Sequence, residues 1–127
     1  MGKTAADIMT TKVITTTASA TVGEVAKMLT KHRISGMPVV AEGQVPGLRT
    51  RVVGIVSEAD ILTAPTGAPV ESVMSRQVIS VRPDTPVSEI VKKLASRNIK
   101  RVPVLDSSDN LMGIVSRADI VAAMAAE

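Results

Sequence analysis

The spacing of apolar positions along the chain changes in a fixed order, and that order occurs twice. Each series opens on a short β-branched run that is typical of a strand, Val13-Ile14-Thr15-Thr16 in the first and Val78-Ile79-Ser80-Val81 in the second. Apolar residues at near-helical spacing follow each run. Two further apolar strands come next, and then a second helix that starts near Ser57 or Ser116. The pattern therefore predicts a β-α-β-β-α unit in two copies.

Direct repetition of residues supports this interpretation. Residues 7–40 align with 72–105 at an offset of 65, with 10 identities in 34 positions, and residues 53–62 align with 112–121 at an offset of 59, with 7 identities in 10. The offsets differ by six (65 − 59 = 6), so the first copy carries six extra residues between its two later strands. The segment Gly43-Gln44-Val45-Pro46-Gly47 predicts a longer hairpin loop there.

The repetition also predicts how the chain is divided. Residues 1–62 form the first repeat, 63–71 a linker rich in Pro, Gly and Thr, and 72–127 the second repeat. One unit of about 60 residues would leave its apolar sheet face and helix stripes poorly covered, so we expect two units to pack together. The predicted fold class is α+β, with tandem β-α-β-β-α repeats related by a pseudo-twofold axis.

Composition removes several classes of function. The chain has no Cys, which excludes disulfides, thiolate metal sites and cysteine nucleophiles, and its single histidine cannot supply a multi-histidine metal site. No nucleophile–base pair stands out, so we expect no enzymatic activity and no required cofactor. A net charge of +3 and the absence of Phe, Tyr and Trp disfavour nucleic-acid binding, because single-strand binders rely on aromatic stacking.

We expect neither a signal peptide nor a membrane-spanning segment. No charged n-region followed by an apolar stretch opens the sequence, and the apolar run 120–126 is far shorter than the roughly 18 residues that span a bilayer. We therefore expect a soluble, cytoplasmic protein.

The densest identity between the copies closely resembles a known family. The stretches Gly54-Ile55-Val56-Ser57-Glu58-Ala59-Asp60 and Gly113-Ile114-Val115-Ser116-Arg117-Ala118-Asp119, together with 33–40 and 98–105, resemble the cystathionine-β-synthase-like (CBS) domain pair. The openings Asp7-Ile8-Met9-Thr10 and Ser72-Val73-Met74-Ser75 look like the start of that family's unit. The resemblance implies regulatory binding of AMP, ADP, ATP or S-adenosylmethionine in the cleft between the repeats, and homodimers shaped like a flat disc.

A serine and an aspartate three residues apart are the main candidate site residues in each copy. A Ser that begins a helix offers a hydroxyl and free N–H groups to an anion, and the Asp carboxylate can accept bonds from the two hydroxyls of a ribose. The resemblance implies the same roles, which predicts two sites: Ser57 with Asp60 and Ser116 with Asp119. The Ser-x-x-Asp spacing is equally a capping box, so a purely structural role is the alternative.

An adenine ring would need an aliphatic slot, because no aromatic side chain is present. The candidates lie on the first strands, before the prolines and on the later strands: Val13, Ile14, Val78, Ile79, Met37, Pro38, Val102, Pro103, Ile55 and Ile114. Simple core packing is the alternative for each of them.

The cations that would meet a phosphate are distributed unequally. The second copy offers Lys100, Arg101 and Arg117, where the first has Ser35, Gly36 and Glu58. This difference predicts unequal sites, since a glutamate repels phosphate, although solvated surface charge is the alternative. His32 is expected either near a phosphate or as a favourable charge at a helix C-terminus, and Arg49 and Arg51 as loop surface.

The alternative function is a ligand-free dimerisation or interaction module that regulates a partner protein. Under either interpretation the expected partners are a second copy of the chain and an unidentified regulated protein, with no membrane partner.

Overall fold

Short helices and strands alternate through the chain in the predicted order. The computed structural model describes residues 2–43 and 50–127, so most of the predicted loop insert, Gln44 to Gly47, and Arg49 lie outside the described residues. The elements are α1 Ala5–Ile8, β1 Thr16–Thr17, α2 Val22–His32, β2 Gly36–Val40, β3 Val52–Ser57, α3 Glu58–Ile61, a 3₁₀ turn Val70–Ser72, α4 Val87–Ser96, β4 Arg101–Leu105, β5 Leu111–Ser116 and α5 Arg117–Ala125. The mixture of helix and antiparallel hairpin confirms the α+β fold class.

Two compact units share these elements. The central unit is Ile14–Val78, and the terminal unit joins Met1–Val13 to Ile79–Glu127. These bounds differ from the sequence division into 1–62, 63–71 and 72–127, because the opening segment of each repeat folds with the other repeat. The linker and the opening of the second repeat therefore lie in the central unit.

Backbone pairing explains this exchange. The N–H and C=O groups of Thr10 bond to those of Ile114 on β5, both at 2.9 Å. Ser75 bonds in the same way to Ile55 on β3, at 2.8 and 2.9 Å. Each opening segment thus continues a hairpin of the repeat to which it does not belong in sequence.

In the central unit, α2 lies against a three-stranded sheet of order β1-β2-β3. The strand β1 runs parallel to β2, which pairs antiparallel with β3. A capping box fixes the start of α2, where the Thr21 hydroxyl accepts the N–H of Glu24 at 3.1 Å. The buried core consists of Val25, Leu29, Met37, Val39, Val56, Val70 and Met74.

The terminal unit repeats this plan around the hairpin β4–β5. An isolated parallel bridge between Val81 and Val104 takes the place of the β1–β2 pairing. The buried core consists of Ala5, Val81, Ile90, Leu94, Val102, Val104, Val115 and Ile120. Ala5, from the opening segment, is 0% exposed, so that segment supplies part of the core.

The first strand of each repeat is shorter and later than the sequence predicts. Ladder pairing covers only Thr16–Thr17 in one unit and the single bridge at Val81 in the other. Ile14 and Ile79 precede this pairing and pack, half-buried, against the cores of their units. β-Branched side chains suit any extended, half-buried backbone, so they do not by themselves require a hydrogen-bonded neighbour.

Candidate functional site

In the central unit, the turn from β3 into α3 places Ser57 and Asp60 side by side. The backbone N–H of Ser57 donates to Oδ2 of Asp60 at 2.8 Å, and the Ser57 hydroxyl donates to the same oxygen at 3.0 Å. Both residues are half-buried. Ser57 is the last residue of β3 and the N-cap of α3, and its backbone is extended, as is usual for an N-cap residue. The capping box predicted from the sequence spacing is therefore present here.

The terminal unit has the same arrangement where β5 turns into α5. The N–H and hydroxyl of Ser116 donate to Oδ2 of Asp119 at 2.8 and 3.0 Å, and the N–H of Asp119 donates back to the Ser116 hydroxyl at 3.2 Å. In both units the capping bonds converge on one carboxylate oxygen. The other oxygen is left for a further donor, and here the two units differ.

Thr10 supplies that further donor in the terminal unit. Its hydroxyl donates to Oδ1 of Asp119 at 3.1 Å. The residue at the matched position in the other repeat, Ser75, directs its hydroxyl to the carbonyl of Gln77 at 3.4 Å. Among the described residues, Asp60 Oδ1 has no hydrogen-bond donor. Thr10 is not among the site residues predicted from the sequence. The only signal for it is that Thr10 and Ser75, both with a hydroxyl, occupy matched positions in the two copies.

The glycine before each serine accommodates the opening segment. A Cβ on Gly54 would lie 2.9 Å from the Ser75 carbonyl oxygen, and one on Gly113 would lie 2.9 Å from that of Thr10. Such contacts are closer than real Cβ atoms make. The two glycines therefore leave room for the chain's own backbone.

The charged candidates lie beside the same helix starts. The N–H of Arg117 bonds to the Lys100 carbonyl at 3.0 Å, and Arg101 pairs with Ser116 across the hairpin. Lys100 and Arg117 are exposed, and Arg101 is half-buried. All three cations thus belong to the terminal unit's helix start.

The matched positions in the central unit carry different chemistry. The N–H of Glu58 bonds to the Ser35 carbonyl at 2.9 Å, and Gly36 pairs with Ser57. Glu58 is exposed. Two helix starts with the same backbone frame therefore differ in the charge around them.

The aliphatic candidates divide by burial. Met37 and Val102 are 0% exposed and belong to the two cores, and Pro38 and Pro103 are less than 2% exposed. Their side chains are covered by protein atoms, and the adenine contact expected of these four residues stays a prediction. The half-buried candidates are Val13, Ile14, Val78, Ile79, Ile55 and Ile114.

The remaining basic candidates lie elsewhere on the units. His32 is half-buried in the last turn of α2, where a cation favours the helix terminus, and Arg51 is exposed just before β3. Within residues 2–43 and 50–127, no helix is long and apolar enough to cross a membrane, and no three acidic or histidine side chains group as metal ligands.

Comparison with known sequences and structures relates both units to one family. The family model described as CBS domain matches residues 5–67 and again residues 70–126. A crystal structure of the CBS domain pair of protein MJ0100, in complex with 5′-methylthioadenosine and S-adenosyl-L-methionine, has a TM-score of 0.85 at 31% identity, covering 99% of this chain and 98% of that one. The cytosolic domain of the Mg²⁺ channel MgtE in complex with ATP has a TM-score of 0.81 at 26% identity, covering 97% of this chain and 49% of that one.

Relatives among curated proteins include both stand-alone proteins and parts of larger ones. The CBS domain-containing protein YhcV of Bacillus subtilis is 32% identical over 115 residues, covering 90% of this chain and 80% of that protein. L-aspartate semialdehyde sulfurtransferase of Methanocaldococcus jannaschii is 34% identical over 116 residues, and the chain spans only 22% of its length.

Proposed function

Because the chain belongs to the CBS-domain family, we propose that it is a regulatory module that binds an adenosine-type ligand: AMP, ADP, ATP or S-adenosylmethionine. In this proposal Ser57 with Asp60, and Ser116 with Asp119, form two ligand-binding positions. The ribose hydroxyls donate to the aspartate carboxylates, and the serine with its helix start faces the phosphate or its substitute.

The repeated serine–aspartate pair is the observation that carries the proposal. In both units the capping bonds occupy the same carboxylate oxygen, Oδ2. A carboxylate has about four lone-pair sites, so Asp60 and Asp119 keep acceptor capacity for a diol while they cap their helices. Capping and ligand binding are therefore compatible in one residue. The ligand class is suggested by related structures, which hold 5′-methylthioadenosine, S-adenosyl-L-methionine or ATP.

Aliphatic side chains would hold the adenine ring. Val13, Ile14, Val78, Ile79, Ile55 and Ile114 are half-buried, so part of each side chain remains open to a ligand. Each Å² of apolar surface buried against the adenine ring contributes about 25 cal/mol to binding, whether or not the protein side chain is aromatic.

Isothermal titration with AMP, ATP and S-adenosylmethionine tests the proposal. Asp60→Asn and Asp119→Asn should each weaken binding at one position by about tenfold or more, because a carboxylate that accepts two hydroxyls becomes an amide. Asp84→Asn changes an exposed carboxylate of the terminal unit and serves as the control. Retained affinity in the double variant Asp60→Asn/Asp119→Asn, with folding intact by circular dichroism, would reject these residues as ligand contacts.

The proposal assigns the module no catalytic role. Among the relatives with enzyme names, the matching region is a minor part of the whole, 22% of the sulfurtransferase and 23% of the Methanococcoides burtonii homoserine O-acetyltransferase. Such a distribution suits a controlling region attached to different activities. The proposal places the module in the cytoplasm, where it acts on a separate regulated protein.

A second candidate function, a ligand-free dimerisation module, is favoured by an apolar helix surface. Val121 and Met124, three residues apart on α5, are each 63% exposed. We propose a second copy of the chain as the occupant of this surface, as the family's homodimers suggest. Sedimentation should then show a dimer that Val121→Lys/Met124→Lys converts to a monomer. A dimer that binds no adenosyl compound would make this the better assignment.

A further inference from the structure

We propose that the two units select adenosyl ligands by charge. The terminal unit takes a phosphorylated adenosine ligand, and the central unit takes an adenosine derivative without phosphate, either uncharged or a sulfonium cation. This inference rests on the proposed function and adds which chemical class each unit accepts.

The two helix starts share a geometry that makes their charges directly comparable. The Ser57 N–H and hydroxyl lie 2.8 and 3.0 Å from Asp60 Oδ2, and the Ser116 groups lie 2.8 and 3.0 Å from Asp119 Oδ2. The residue after each serine bonds back to the facing strand, at 2.9 Å in one unit and 3.0 Å in the other. Ligand preference must therefore come from the side chains attached to this common frame.

In the terminal unit the attached side chains favour an anion. Lys100 and Arg117 are exposed neighbours joined through a backbone hydrogen bond, and Arg101 lies opposite Ser116 in the hairpin. All three residues lie next to the start of α5, a helix of nine residues whose N-terminal N–H groups also favour negative charge. Cationic side chains and helix terminus act in the same direction, so a phosphate group is stabilised at this position.

In the central unit the same positions disfavour an anion. Ser35 and Gly36 replace the lysine and the first arginine, and exposed Glu58 replaces the second. The helix α3 has only four residues, so its terminus offers little compensation. The formal charge at the three matched positions is −1 here and +3 in the terminal unit, a difference of four.

The second oxygen of each aspartate adds to this contrast. Asp119 Oδ1 accepts the Thr10 hydroxyl at 3.1 Å, whereas Asp60 Oδ1 has no donor among the described residues. The central unit thus keeps more negative potential near its ribose position. That potential attracts a sulfonium, is indifferent to an uncharged thioether and repels a phosphate.

Paired aspartate variants test the assignment. ATP, 5′-methylthioadenosine and S-adenosylmethionine are titrated separately into the full chain, Asp60→Asn and Asp119→Asn. We expect Asp119→Asn to lower the affinity for ATP by about tenfold and to change the affinities for the two sulfur compounds by less than about twofold. Asp60→Asn should lower the affinities for the two sulfur compounds by about tenfold and change that for ATP by less than about twofold. If both variants lowered the affinity for every ligand to the same extent, the inference would be wrong and the proposed function would be retained.

Charge variants provide a test that does not touch the capping bonds. Glu58 and Arg117 are exposed, and neither side chain makes a hydrogen bond or ion pair with another described residue, so Glu58→Arg and Arg117→Glu should fold normally. Exchanging these charges should move the ratio of ATP to S-adenosylmethionine affinity by roughly tenfold in each unit, in opposite directions, and high salt should reduce the effect. Ratios that do not move refute the inference. Absence of heat with all three ligands would refute the proposed function itself.

Discussion

Thr10 makes a hydrogen bond that distinguishes the start of α5 from the otherwise matched start of α3. Its hydroxyl holds Oδ1 of Asp119 at 3.1 Å, an oxygen that a ribose would also require. Ser116 and Thr10 together occupy three of the carboxylate's roughly four lone-pair sites, so the two hydroxyls of a ribose compete with Thr10 for one of them. The matched Ser75 turns to the carbonyl of Gln77 instead and does not compete.

Thr10→Val should accordingly raise the affinity of the terminal unit for a ribose-bearing ligand. Removing one competing, solvent-exposed hydroxyl–carboxylate hydrogen bond of about 1 kcal/mol corresponds to about fivefold in affinity. The same change removes a native bond, so the free energy of unfolding should fall by about 0.5–1.5 kcal/mol. Titration and urea unfolding measure the two effects, and Ser75→Ala is the matched control. An affinity that falls with Thr10→Val contradicts the competition.

Two glycines allow the opening segments to approach, and their replacement tests that contact. A Cβ at position 54 or 113 meets a carbonyl oxygen at 2.9 Å, whereas a Cβ at Gly67 meets nothing within 4 Å. Gly54→Ala and Gly113→Ala should each lower the free energy of unfolding by about 1–3 kcal/mol, as overpacking does. Gly67→Ala should be close to neutral. Equal stability of all three variants in urea would show that the opening segments are not tightly held.

At the scale of elements, capping boxes begin the helices α1, α2, α3 and α5. The short helix α1 shows this most simply, since the N–H and hydroxyl of Thr4 donate to Oδ2 of Asp7 at 2.8 and 3.1 Å. These bonds, the backbone one first, lower the pKa of Asp7 below its usual value. In α2 and α5 the same device recurs with Glu24 and Asp119.

The lowered pKa of Asp7 predicts how stability responds to acid. A carboxylate whose pKa is lower folded than unfolded contributes stability that is complete above the unfolded value and is lost as pH falls through the folded value. Asp7→Asn should therefore be less stable than the parent chain near neutral pH and equal to it in strong acid. Thermal unfolding across this range measures the difference. A difference that stays constant with pH would mean that the Asp7 charge has no part in capping.

At the scale of the whole molecule, the compact units cross the boundaries of the repeats. Val70 and Met74 belong to the core of the central unit although Met74 opens the second repeat. Ala5, from the start of the chain, is buried in the core of the terminal unit. Each unit therefore needs residues from both copies.

Fragments cut at the two kinds of boundary should behave differently. A fragment of residues 14–78 contains the complete central core and should fold, whereas 1–62 lacks Val70 and Met74 and should not. Loss of two buried apolar side chains costs about 2–5 kcal/mol each, which exceeds what a unit of this size can spare. Circular dichroism and dispersion of amide NMR signals distinguish the outcomes. A well-folded 1–62 fragment would contradict the exchange of opening segments.

The order of elements and the capping boxes could be predicted from the sequence because both are local. Spacing between neighbouring residues reveals a helix stripe, and Ser57 with Asp60 lie three positions apart. The bonds of Thr10 with Ile114 join residues that are far apart in the chain. Alignment of the two copies matches Thr10 with Ser75, but it does not reveal that the opening segment of one copy pairs with a strand of the other.

Side-chain direction was the other feature that sequence could not supply. All five residues of β2 are buried, so its apolar run shows no alternation from which a ligand-facing side could be read. Met37 therefore looked as available as Ile55, although only Ile55 keeps partial exposure. The same holds for Val102 and Ile114 in the terminal unit.

The exchange of opening segments also sets an order for folding during synthesis. Translation proceeds at about 5–20 residues per second, so residues 2–13 leave the ribosome several seconds before Ile114, the backbone partner of Thr10. The central unit has all of its residues once Val78 has emerged. The opening segment of the first repeat is thus made before the strand with which it pairs, and until that strand emerges its apolar side chains stay open to chaperones and proteases.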